Sequence, residues 1–199
     1  MAMPVSPRRP DFTGGLIHMT KPRKPVEQWG KPAPNAEETV PAFDVLKKVL
    51  TDGKIVGGTT YVKGGKPVVC FSEIPLSSLQ YYVDRDGQKS RLTSYAIAIS
   101  KASGFEAGAR PVIYLPDKES DWIPKDQIWR LVQFQDGTVD FTHEREWRML
   151  GDFDLTKSER GIYVVVWTPE EAEEIAALKT PLGNRVIGVL VMEHLNRML

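Results

Sequence analysis

The sequence contains a single cysteine, Cys70, which excludes an intrachain disulfide and with it a small secreted scaffold held together by such bonds. Its three histidines, His18, His143 and His194, are too few, beside one thiol, for a dedicated zinc site. No apolar run approaches the roughly 20 residues that a membrane-spanning helix needs, and the first residues lack the basic-then-apolar order of a signal peptide. Neither sign of charge is in excess: Lys plus Arg and Asp plus Glu number 26 each, so no global field draws the chain onto a polyanion. Glycine-rich phosphate loops, H-E-x-x-H and G-x-S-x-G are missing as well. These absences predict a cytoplasmic protein that works without a metal.

What is present suffices for a folded core. The length of 199 residues suits one domain spanning 1–199, and 41% hydrophobic content is enough to fill it. Residues 1–41 hold eight of the 15 prolines and a run of basic residues that includes Arg8, Arg9, Arg23 and Lys24. Proline fixes φ and removes a donor, so this segment is expected to be irregular, apart from a first core strand at about 15–20.

Periodicity then orders the chain. Pro41 to Leu50 predicts a helix with Phe43, Leu46, Val49 and Leu50 on one stripe and Gly53 as its stop. Thr59–Val62 and Val68–Phe71, on either side of Lys63-Gly64-Gly65-Lys66, predict a β-hairpin. Cys70, inside the second of these runs, reads as a buried, inert thiol. A helix follows from Pro75, then strands at Tyr95–Ser100 and Pro111–Leu115, a short helix over Pro124–Val132 and a strand at Ile162–Trp167. Thr168-Pro169-Glu170-Glu171 has the form of a capping box, and Val186–Met192 predicts a last strand. Strands outnumber scattered helices, which predicts an α+β fold with mixed, mostly antiparallel split sheets.

The densest chemistry lies in Phe141–Arg148, FTHEREWR. Read as a strand, it sets Thr142, Glu144, Glu146 and Arg148 on one face and Phe141, His143, Arg145 and Trp147 on the other. Two carboxylates on one face repel unless cations or a polar ligand sit opposite. A solvated face with arginine counter-ions satisfies that demand as well as a binding site does.

Three islands, His18-Met19-Thr20, a strand opening at Tyr95, and Glu144-Arg145-Glu146, resemble the His-Tyr-Glu version of the ADP-ribosyltransferase core. The runs VVCFSEIPL, YAIAISK, GARPVIY and THEREWR also resemble a bacterial group linked to abortive infection and phage defence, over most of residues 16–150. The first resemblance implies two packed, mostly antiparallel sheets around NAD as substrate, and no metal. It implies that His18 binds the adenosine ribose with Thr20 supporting it. Tyr95 would flank the nicotinamide, with Tyr81 and Tyr82 as alternative rings. Glu146 would bind the nicotinamide ribose and Glu144 would act on the substrate side, where a fixed carboxylate stabilises the charge that develops as the glycosidic bond breaks. Arg110 and Arg148 would pair with the pyrophosphate, or serve as structural ion pairs.

The activity so implied is cleavage of NAD and transfer of ADP-ribose to a nucleic acid or protein, with an antitoxin as a further partner and no membrane. The alternative is a non-catalytic module of a defence system that binds a protein or nucleic acid through the basic N-terminal segment. A nuclease built on His143, Glu144 and Glu146 fits less well, because a regular strand points His143 away from both acids.

Overall fold

The computed structural model describes residues 13–23, 26–28, 31–32, 39–75, 78–79, 81, 83–84 and 92–194. The fold is α+β, and its main element is a sheet of seven strands. In chain order these are β1 (Gly15–Met19), β2 (Val68–Ser72), β3 (Ala96–Ser100), β4 (Arg110–Pro111), β5 (Glu146–Leu150), β6 (Ile162–Val166) and β7 (Val186–Val191). Across the sheet they run β7, β6, β3, β1, β2, β5, β4. Only β6 and β7 pair in parallel; the other neighbours are antiparallel. The split pair of sheets expected from the sequence is thus replaced, among the described residues, by one continuous sheet accompanied by two-stranded ribbons.

Alternation divides the sheet's side chains between two cores. Leu16, Val69, Phe71, Ile97, Ile99, Trp147, Met149, Ile162 and Val164 point to one face and join the larger core. That face is covered by α1 (Ala42–Asp52), α2 (Lys101–Glu106) and α3 (Pro169–Ala177). Leu46 and Leu50 of α1 are fully buried there, so truncating either to Ala costs about 2–5 kcal/mol. The opposite face carries Ile17, Ala96 and Val165, packed with Leu79 and Met192 in a smaller core. Among the described residues no helix is long and apolar enough to cross a membrane.

Two helix boundaries follow the local chemistry. Gly53 ends α1 in the left-handed region at φ 68°, where a Cβ would lie 2.7 Å from Pro181 Cγ. Thr168 and Glu171 form the capping box of α3, with Pro169 in its first turn. Both arrangements satisfy backbone groups that a helix end leaves without partners.

Elsewhere the local expectations fail. Thr59–Val62 does not form a strand: Lys63–Gly65 is a 3-10 turn, and a single bridge, Gly58 to Val68, stands in place of the hairpin. Ile128–Arg130 is a 3-10 turn leading into Leu131–Gln133, which pairs in parallel with Ile113–Leu115. The stretch expected as one strand from Phe141 breaks in two. Thr142–Glu144 forms a 3-10 turn, Arg145 takes a left-handed conformation at φ 45°, and the strand starts only at Glu146. Glu144 and Glu146 therefore do not share a strand face. Ser72 Oγ donates to the Glu144 carbonyl at 2.5 Å, and the Glu73 amide donates to the Arg145 carbonyl, so this turn is fixed by contacts distant in sequence.

Candidate functional site

The candidate residues fall on the two faces of the sheet. On the helix-covered face, β1 directs His18 and Thr20 the same way as Leu16. The His18 ring stands edge-on to Phe71 at 6.0 Å, and its Nδ1 lies 2.8 Å from the Cys70 carbonyl. A carbonyl only accepts, so Nδ1 carries the proton. Burial, with Arg23 and Lys21 adding repulsion, lowers its pKa from 6.5 to about 4 against the opposing effect of that hydrogen bond.

Thr20 is buried, with its Oγ1 donating to Ala42 O at 2.9 Å and to Tyr95 O at 3.1 Å. Thr93 Oγ1 donates in turn to Thr20 O. Tyr95 is buried beside Phe43, and its hydroxyl donates to Glu171 Oε1 at 2.7 Å. The other oxygen of Glu171 accepts from the amides of Trp167 and Thr168. Tyr95 thus ties the start of β3 to the cap of α3.

On the opposite face, β2, β5 and β4 set Cys70, Arg148 and Arg110 in one cross-strand row, and Ser72 and Glu146 in the next. Arg148 is 5% exposed. Its Nε meets Glu146 Oε1 at 2.8 Å, its Nη2 lies 3.4 Å from Glu146 Oε2, and its Nη1 donates to the carbonyls of Trp129 and Leu131. A buried guanidinium needs such compensation, since water no longer supplies it. Arg110 lies over the Phe105 ring at 3.9 Å and donates to Phe105 O and Ala109 O. Trp147 belongs to the core, with its Nε1 donating to Glu73 Oε2 and Lys101 holding the other oxygen of Glu73.

Two neighbours of Glu146 complete this corner. The Glu146 amide donates to the Tyr114 hydroxyl at 3.0 Å. Burial pushes that phenol up to about 12, helped by the charges of Glu146 and Glu144. Cys70 is exposed, contrary to the sequence expectation, because alternation turns it away from Val69 and Phe71. Its thiol is pushed up to about 12 by local desolvation and by Glu146, so it is held as the weakly nucleophilic neutral form.

The structure therefore brings His18, Thr20 and Tyr95 to one side of the sheet and Glu146, Arg148 and Arg110 to the other. Among the described residues no group of His, Cys, Asp and Glu is placed to hold a metal ion. Trp29, Tyr82, Arg8, Arg9 and Lys24 lie outside the described residues.

Sequence reasoning passed over a different pair. Tyr61 is 87% exposed and held at φ 59°, and Trp122 is 65% exposed. A non-glycine residue in that backbone region costs on the order of 1–2 kcal/mol and persists only where its surroundings impose it. The loops bearing these rings are joined by Lys63 Nζ to Asp117 Oδ2 at 2.5 Å. Gly64 packs against Ile128, whose Cγ2 would lie 2.7 Å from a Cβ there. The local signal was weak: Tyr61 sits in Thr59–Val62, a run that reads as a strand, and Trp122 lies between Asp121 and Ile123 before Pro124.

Residues 49–123 match the family model described as "Putative abortive phage resistance protein AbiGi, antitoxin". No curated protein and no solved structure matches the chain. The match links the chain to abortive infection and phage defence. It spans Tyr61, Cys70, Tyr95, Arg110 and Trp122, and leaves out His18, Thr20, Glu144, Glu146 and Arg148.

Proposed function

We propose that this chain is the antitoxin-like, non-catalytic component of an abortive-infection system, and that it acts by binding a protein toxin through the Tyr61 and Trp122 loops. The observation that carries the reading is the two-sided placement of the candidate residues. His18 and Glu146 lie on opposite faces of one sheet, and Glu146 is engaged by Arg148. The family description supports a binding role, and both exposed rings lie within the matched residues. Tyrosine and tryptophan are the side chains most enriched among interface hot spots, since each buries a large rigid surface at small entropic cost. The neighbouring Lys63, Asp117, Lys118, Glu119 and Asp121 form a polar surround of mixed sign, as interface rims do.

The test is co-expression with the toxin of its own locus. Growth should be rescued by the wild type and lost with Tyr61→Ala/Trp122→Ala, while the double variant keeps its melting temperature. Rescue that survives removal of both rings would place the contact elsewhere.

The reading as an NAD-cleaving ADP-ribosyltransferase needs His18, Tyr95 and Glu146 around one dinucleotide, and no comparison supports it. It remains distinct in what it predicts: nicotinamide release that depends on Glu146 and a thermal shift with NAD.

A further inference from the structure

Tyr61 and Trp122 occupy the same place in two closed turns. The Val62 amide donates to Thr59 O at 3.1 Å around Tyr61, and the Ile123 amide donates to Ser120 O at 2.9 Å around Trp122. Each ring is third in its four-residue turn, and the residue after it is drawn into the fold, Ile123 fully and Val62 by half. A second turn adjoins each of these. On one loop the Gly65 amide donates to Val62 O at 3.3 Å; on the other, the Ser120 amide and Oγ both donate to Asp117 O, at 3.2 and 2.6 Å. The two chains of turns meet where Lys63 Nζ reaches Asp117 Oδ2 at 2.5 Å, beside the contact of Gly64 with Ile128.

Tyr61 carries a further mark. The third position of a turn favours glycine when its φ is positive, yet it holds a tyrosine at φ 59° that is 87% exposed. Neither burial nor backbone preference accounts for the ring, and strain of this kind collects at binding surfaces.

We propose that the two loops form one preformed two-ring anchor, in which Lys63 and Asp117 are positioning residues: they hold Tyr61 and Trp122 in the arrangement the toxin receives, without contacting the toxin themselves. The proposal rests on the toxin-binding reading and says how that site is kept ready. Two aromatic anchors on separate loops bind only in the fraction of molecules whose loops are correctly placed, so a link between the loops raises affinity without adding a contact. The loops are 54 residues apart in sequence at Lys63 and Asp117, and no shared strand joins them there. The two side chains are half-exposed, so their bridge adds little to global stability. Its effect falls on the placement of one loop against the other.

The experiment is calorimetric titration of the full chain with the toxin of its own locus, beside thermal melts of each variant. Lys63→Asp and Asp117→Lys should each raise Kd roughly fivefold, the scale of one exposed ion pair, and leave the melting temperature unchanged. The exchange Lys63→Asp/Asp117→Lys should restore wild-type affinity, a rescue that direct contact of either residue with the toxin would not give. Single variants that bind as tightly as the wild type, or an exchange that stays as weak as they are, would overturn the proposal, even where Tyr61→Ala/Trp122→Ala abolishes binding. Binding that survives loss of both rings would instead overturn the reading beneath it.

Discussion

Glu146 and Arg148 bind each other along one face of β5, Nε to Oε1 at 2.8 Å, while Nη1 of the guanidinium donates to the carbonyls of Trp129 and Leu131. The pair fastens β5 to the segment leading into Leu131–Gln133. Removing the carboxylate would leave a buried cation without its counter-charge, a change that costs about 3 kcal/mol in comparable settings. Glu146→Ala is therefore expected to lower stability by about that amount in urea denaturation, and Glu146→Gln by less. A carboxylate kept for catalysis behaves in the opposite way, because its removal tends to leave stability unchanged or raised.

His18 gives the fold a pH dependence of definite sign. Its folded pKa of about 4 lies below the ordinary 6.5, so between these values the unfolded chain binds the extra proton. Stability is then complete above about pH 6.5 and falls as pH drops toward about 4. Chemical denaturation from pH 7.5 to 4.5 should show this loss, and His18→Gln should remove most of its slope in the upper part of that range. Carboxylates such as Asp154, held low by Thr156 and Lys157, titrate further down and contribute below that window.

Tyr95→Phe deletes the hydroxyl that Glu171 accepts from. We expect a loss of about 1–2 kcal/mol, from one hydrogen bond to a charged group. Thr168→Ala, which removes the other half of the cap, should cost about 1 kcal/mol. The two should be non-additive in a double-mutant cycle, since both act through Glu171.

Tyr61→Ala and Trp122→Ala should leave the melting temperature within a degree or two, because neither ring is buried. Each should weaken toxin binding by about 2 kcal/mol or more, roughly a thirtyfold rise in Kd by calorimetry.

Much of the fold was legible because the signals are local. The α1 stripe with its Gly53 stop, and the Thr168–Glu171 box before α3, are determined within a few residues. β-Branched runs likewise marked β6 and β7. The candidate site was less legible, for two reasons. Arg145 is a non-glycine residue at positive φ, held by Ser72 and Glu73 contacts from β2, and no local pattern announces it. The face on which His18 lies relative to Glu146 depends on strand order and register, with β2 between them. Three matching islands in the sequence carry no information about which side of a sheet each one occupies. Cys70 illustrates the same point: an apolar run suggested burial, whereas the sheet leaves one of its faces partly uncovered at that position.

The most direct test of a binding role, as opposed to a catalytic one, is to incubate the purified chain with nicotinamide-labelled NAD, with and without bacterial lysate, RNA and DNA, beside Glu146→Gln. The account predicts no nicotinamide release above the buffer control in any mixture and no thermal shift with NAD. Release by the wild type that disappears in Glu146→Gln, with both proteins folded, would contradict it.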